Sequence, residues 1–217
     1  MPDRLLKKWV AMIFDHPVSD PAWYWEIDAP CWEGSPAEVA LLIAETFERS
    51  GELLAPYSDA QLNQGLWHLI QNASAEYAYV FTDPEIPFPL RVRTLRSFVP
   101  LFEQAMAARC SPHLAHLDER EANPLNSVCY MWWDVIPIHG MPEDPGRRDF
   151  DQEVLAVFQC LLAIPHDACR ESALHGLGHW AFSYSVAPII DAFLAQTPGL
   201  RPELAAYARK ARDGDVL

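Results

Sequence analysis

Residues 170–180 read RESALHGLGHW, and the interpretation of this stretch separates a metal-binding helix from one unit of a helical array. His175 and His179 stand four positions apart, a spacing that on a helix can hold a metal ion from one face. At about 100° per residue, Ala173, Leu174, Leu177 and Ala181 cluster on one side of the helix, with His175 and His179 almost opposite. Both histidines are therefore expected on the outer face, available to a partner. A HExxH metallopeptidase needs a glutamate as general base directly after the first histidine. Here that residue is Gly176, which excludes that chemistry. Gly176-Leu177-Gly178 lies inside a helical pattern and does not follow a strand, so it is no dinucleotide fingerprint either.

Downstream, proline turns separate further helices over about 188–195 and 202–212. Upstream, the same rhythm recurs. Ser35-Pro36-Ala37-Glu38 is a capping box with proline at the first helical position, followed by Val39, Leu42, Ile43 and Phe47 at helical spacing. Ser58-Asp59-Ala60-Gln61 repeats the device before Leu62, Leu66, Leu69 and Ile70. Leu95, Phe98, Val99, Phe102 and Met106 form the next set, with Pro100 expected to kink or split the helix. Asn123-Pro124 opens a helix carrying Leu125, Val128, Cys129, Trp132 and Ile136. Asp149-Phe150-Asp151-Gln152 reads as a third capping box ahead of Val154, Leu155, Phe158, Leu161 and Leu162. The one weak strand candidate, Tyr77 to Phe81, is too short to imply a sheet.

Short helices joined by proline turns suggest stacked pairs, the organisation of an α-solenoid in which each unit relies on its neighbours to bury its apolar face. RESALHGLGHW followed by APIIDAFL (187–194) resembles a HEAT-like repeat. The first helix of such a repeat carries an arginine, a small apolar pair and a Leu-Gly, and the second opens with a proline and a run of aliphatics. The resemblance covers residues 170–194 and departs from the pattern at Gly176 and in the turn FSYSV. It implies an all-α fold, a helical array with HEAT-like (α-solenoid) pairs clearest in the C-terminal third. The organisation expected is a single domain over 1–217. An N-terminal helix and a loop occupy 1–34, a helical array 35–136, a loop 137–148 and HEAT-like helices 149–217.

Half of the 217 residues are apolar, enough for a sizeable core. No apolar run approaches the roughly 18 residues of a spanning helix, and the first residues, MPDRLLKKWVAMIFDH, lack a signal-peptide cleavage pattern. A soluble, cytoplasmic protein is expected, without membrane partners. Five cysteines, at 31, 110, 129, 160 and 169, form no CxxC pair and no even framework, so reduced and mostly buried thiols are expected. Cys110, His113 and His116 share a C-x2-H-x2-H spacing, and His166 with Cys169 gives H-x2-C. Such spacings have little specificity, and neither metal nor cofactor is expected. A nucleophilic role for Cys169 would require His166 beside it in space. Nucleophile-elbow and phosphate-loop motifs are absent.

The net charge is −14, with 16 basic against 30 acidic residues. Between Trp9 and Leu90 stand 13 acids and a single Lys or Arg, Arg49. This disfavours nucleic acid, whose phosphates need Lys and Arg, and favours a basic protein partner. Residues 17–34, PVSDPAWYWEIDAPCWEG, combine three tryptophans and a tyrosine with four acids and no base. Aromatic rings anchor interfaces and carboxylates steer arrival. The same tryptophans could instead cap the end of the helical core. The expected partner-binding residues are Asp20, Trp23, Tyr24, Trp25, Glu26, Asp28, Trp32 and Glu33, with His175 and His179 on the outer face of the repeat helix. The chain thus resembles in type the immunity proteins that neutralise toxins, several groups of which are HEAT-like; a basic nuclease toxin would suit its charge. A HEAT-like scaffold for another cellular protein and a metal-dependent protein using the His and Cys clusters are the alternatives.

Overall fold

Apolar residues at helical spacing account for each long element of the computed structural model, which describes residues 2–119 and 122–216. Helix α1 (Asp3–Phe14) buries Leu6, Trp9, Val10, Ile13 and Phe14. Helix α2 (Pro36–Glu48) starts where the Ser35 hydroxyl accepts the Glu38 N–H at 3.2 Å, and a short turn of helix, α3 (Ser50–Leu53), follows it. Helix α4 (Asp59–Ile70) has the full reciprocal box. There Ser58 accepts the Gln61 N–H, and the Gln61 side chain accepts the Ser58 N–H.

The strand candidate is a 3-10 helix, Tyr77–Phe81, with Tyr77, Ala78, Val80 and Phe81 all buried. Burial of adjacent residues suits a tight helical turn against α2 and not a half-exposed strand. After α5 (Phe88–Arg96) the chain runs through α6 (Phe98–Leu101), a π-helical turn Phe102–Met106 and α7 (Ala107–Arg109). Pro100 falls in the first turn of α6, where its missing N–H would lack an intrahelical partner anyway.

Helix α8 (Leu125–Val135) begins where the Asn123 side chain accepts the Leu125 N–H at 2.8 Å. Helix α9 (Arg148–Ala163) lacks the expected capping box. Asp151 turns inward instead, accepting from the Met141 N–H at 2.7 Å and the Tyr184 hydroxyl at 2.9 Å. That places a fully buried carboxylate at the foot of the 137–148 loop, where it serves the loop's backbone instead of the helix's own N-terminus. Three helices complete the chain: α10 (Asp167–Trp180), α11 (Ala187–Gln196) and α12 (Pro202–Arg212).

The fold is an all-α array with no strand among the described residues. Helix α1 lies against α2 and α4, α4 against α8, and α5 against α2 and α9. The RESALHGLGHW helix, α10, runs through the middle of the C-terminal half, packed on α8, α9 and α12. Residues 171–178 are all buried, so this helix has no outer face along that stretch. Its two glycines permit that density. A Cβ on Gly176 would stand 2.4 Å from Phe158 and 2.7 Å from Trp133, and one on Gly178 would stand 2.3 Å from Val216.

Candidate functional site

Two regions gather the residues singled out in the sequence. The first lies on α10. With α8 and α12 both against it, the side of α10 that carries His175 and His179 faces other helices. His175 is only 3% exposed, which overturns the expectation that it lies outward. The outward assignment assumed a helix covered on one side, whereas this one is covered on several. His179, one turn further on, keeps a side chain 30% exposed.

Both imidazoles converge on Asp134 of α8. His175 Nε2 lies 2.7 Å from Asp134 Oδ2, and His179 Nε2 lies 2.8 Å from Oδ1. The two Nε2 atoms are 3.2 Å apart. Burial pushes the Asp134 carboxyl toward its neutral form, but hydrogen bonds to His175 and His179 outweigh it and hold the group well below the usual carboxylate range. Behind the first ring, His175 Nδ1 lies 2.6 Å from the Tyr207 hydroxyl of α12, which is 3.3 Å from the Tyr130 hydroxyl of α8. The Tyr207 ring stacks on His116, whose Nδ1 contacts the buried Glu171. Burial keeps both tyrosines protonated. Hydrogen-bond contacts thus run from Asp134 through His175 and Tyr207 to Tyr130, and the Tyr207 ring stacks on the separate His116–Glu171 pair.

The weaker His and Cys spacings do not assemble in this way. His116 is committed to Glu171, and His166 Nε2 to the Cys110 carbonyl at 3.1 Å. Cys169 does lie beside Cys129 and His166, which together draw its thiol down to about 6 against the opposing effect of burial. It is nevertheless fully buried, out of reach of a substrate. Cys110 and Cys129 are also buried, while Cys31 and Cys160 are exposed, and all five are free thiols.

The second region is the aromatic and acidic segment, which the structure divides into anchors and surface. Trp23 is buried, not displayed to a partner as expected. Its ring stacks on His16 at 3.7 Å between centroids and meets His68 edge-on. Tyr24, half-buried, stacks on His68. Trp32 packs against Trp9, and its N–H donates to Glu38. These three rings fasten the segment to α1, α2 and α4. Trp25, Glu26, Asp28 and Glu33 remain outside, with Asp20. Val18 and Ile27 are exposed apolar neighbours that composition alone did not single out. An open groove of about 610 Å³ runs between this segment and α4, with Val18, Asp20 and Trp25 on one wall and Gln64 and Trp67 on the other.

The charges divide in the same manner. Arg93 pairs with Glu45 and Glu48, Arg49 with Asp3 and Glu52, and Arg109 with Asp59. Among the described residues, none of Asp20, Glu26, Asp28 and Glu33 is in an ion pair. No helix of the described residues is long and apolar enough to cross a membrane. No family model, curated protein or solved structure matches the chain.

Proposed function

We propose that the protein is a non-enzymatic binding module that takes a basic protein partner on the segment 17–34 and the adjoining rim of α4. One observation carries this reading. Glu45 and Glu48 of α2, Glu52 of α3 and Asp59 of α4 have arginine partners, whereas Asp20, Glu26, Asp28 and Glu33 stand unpaired on the segment that exposes Trp25 and Ile27. An exposed large ring on a segment that carries unpaired carboxylates supplies both a desolvating anchor and a steering field. A net charge of −14 extends that field beyond the patch.

Within this class the closest type is an immunity protein that covers the cationic active surface of a toxin such as a nuclease, on a helical array of HEAT-like character. The acidic patch would occupy the place of the nucleic acid. The test is titration calorimetry against the purified product of the adjacent gene at about 0.05 and about 0.5 M salt, where screening lengths differ several-fold. Binding should weaken steeply with salt and be lost when Glu26 and Asp28 are changed to lysine. Affinity indifferent to both salt and charge reversal, or no binding, refutes the proposal.

A further inference from the structure

We propose that Asp134, His175 and His179 form a binding site for one divalent ion of the zinc class. The ligands would be one carboxylate oxygen of Asp134 and the two Nε2 atoms. The proposal goes beyond the partner-binding reading and does not depend on it.

Geometry is the first support. Four-coordinate zinc with ligand bonds of about 2.0–2.1 Å separates its ligand atoms by about 3.3 Å. His175 Nε2 stands 2.7 Å from Asp134 Oδ2, His179 Nε2 stands 2.8 Å from Oδ1, and the two Nε2 atoms are 3.2 Å apart. One ligand atom from each residue lies within 4.8 Å of the others, so a turn of the carboxylate and small side-chain shifts would admit the ion. Both Nε2 atoms face the same carboxylate and each other. An arrangement of two neutral imidazoles and one carboxylate presents lone pairs to a common point and matches the N and O donors that zinc accepts. Among the described residues, this is the one group of three His, Cys, Asp or Glu side chains placed to hold an ion.

The surroundings are the second support. A histidine that ligates through Nε2 must carry its proton on Nδ1, and metal-binding histidines almost always donate that proton to a fixed acceptor. Tyr207 Oη sits 2.6 Å from His175 Nδ1, where it can accept the Nδ1–H while its own O–H donates toward Tyr130 Oη at 3.3 Å. His175 is thereby locked in orientation by α12 while its other nitrogen faces Asp134. The i, i+4 spacing on a helix buried along both neighbouring turns gives the pair a rigid base. The side chains of His179 and Asp134 keep 30% and 20% exposure, so the ion would enter from solvent and retain a water in its fourth position.

The test is titration of the tag-free, chelator-treated protein with Co²⁺, followed by displacement with Zn²⁺. One Co²⁺ per chain is expected, with the intense visible absorption of a four-coordinate ion, abolished by stoichiometric Zn²⁺. His179→Ala and Asp134→Asn should each weaken uptake by more than about 100-fold, since even outer-shell changes cost about 10–100-fold. His179 is partly exposed, so H179A should retain the far-ultraviolet circular dichroism of the parent; it decides the matter if D134N fails to fold. Absence of stoichiometric uptake, or uptake that survives in folded H179A, overturns the proposal.

Discussion

His175 and Tyr207 hold each other across the interface of α10 and α12, with Nδ1 and Oη 2.6 Å apart although the residues stand 32 positions apart in sequence. Both are buried, so neither group can turn to water if the other is removed. Tyr207→Phe keeps the ring that stacks on His116 and deletes only the hydroxyl. It should therefore lower unfolding free energy by about 1–3 kcal/mol, the cost of stranding a buried polar group, as read from urea denaturation. In the same variant Co²⁺ affinity should fall by about 10–100-fold, the usual penalty for losing an outer-shell partner. A variant as stable as the parent would mean that His175 finds another partner.

Gly176→Ala sets two effects against each other. Alanine in a helix interior is favoured over glycine by about 1 kcal/mol. The added methyl, however, would lie 2.4 Å from Phe158 and 2.7 Å from Trp133, both rigid rings on flanking helices. Overpacking of this kind costs about 1–3 kcal/mol or more, so the sum should be a net loss seen as a lower thermal midpoint. Gly51→Ala is the contrasting case. Its methyl would stand 3.1 Å from Oε1 and 3.3 Å from Cβ of Gln104, milder contacts than those at Gly176, so the loss should be smaller there.

The helical array was legible because the information for it is local. The Ser58 box, the Ser35 cap and the periodic apolar sets each act over a few residues, and the helices follow them closely. What failed was inference about which face of a helix is outer. Ala173, Leu174 and Leu177 do mark a buried apolar face of α10. Its polar face is buried too, because α8 and α12 bring Asp134 and Tyr207 to it from 41 and 32 residues away. Nothing in the neighbourhood of Asp134 marks it, since it simply follows Trp132 and Trp133 on an apolar helix. Asp151 misled for the same reason. A carboxylate near a helix start has the composition of a cap, and its inward turn depends on Met141 and Tyr184. In the segment 17–34, composition showed that aromatic rings matter but not which of them face inward.

The division of those rings is testable without any partner. Trp23→Ala removes a buried ring stacked on His16 and in contact with His68, and should cost about 3–5 kcal/mol. Trp25 is 50% exposed, and Trp25→Ala should stay within about 0.5–1 kcal/mol of the parent, as surface changes usually do. Chemical denaturation of the two variants decides the point. Equal losses would show that Trp25 also anchors the segment and would remove it from the proposed interface.

His68 supplies an acid-sensitive latch beneath the same segment. Its ring lies among Trp23, Tyr24 and Tyr77, with Nδ1 2.9 Å from the Ser74 hydroxyl and Nε2 buried without a partner. Burial, aided by the nearby His16, lowers its pKa to about 4. An unfolded-chain histidine titrates near 6.5, so between these values the unfolded state takes up a proton that the folded state refuses. The contribution of His68 is therefore complete above about pH 6.5 and declines as pH falls, by about 1.4 kcal/mol per unit, until the folded ring itself protonates near 4. The informative quantity is a difference between proteins. His68→Asn keeps a polar group toward Ser74 and removes the ionisation. Unfolding free energies measured from pH 7 to pH 5 should fall less steeply in H68N than in the parent, and parallel curves would show that His68 is protonated in the folded state without penalty.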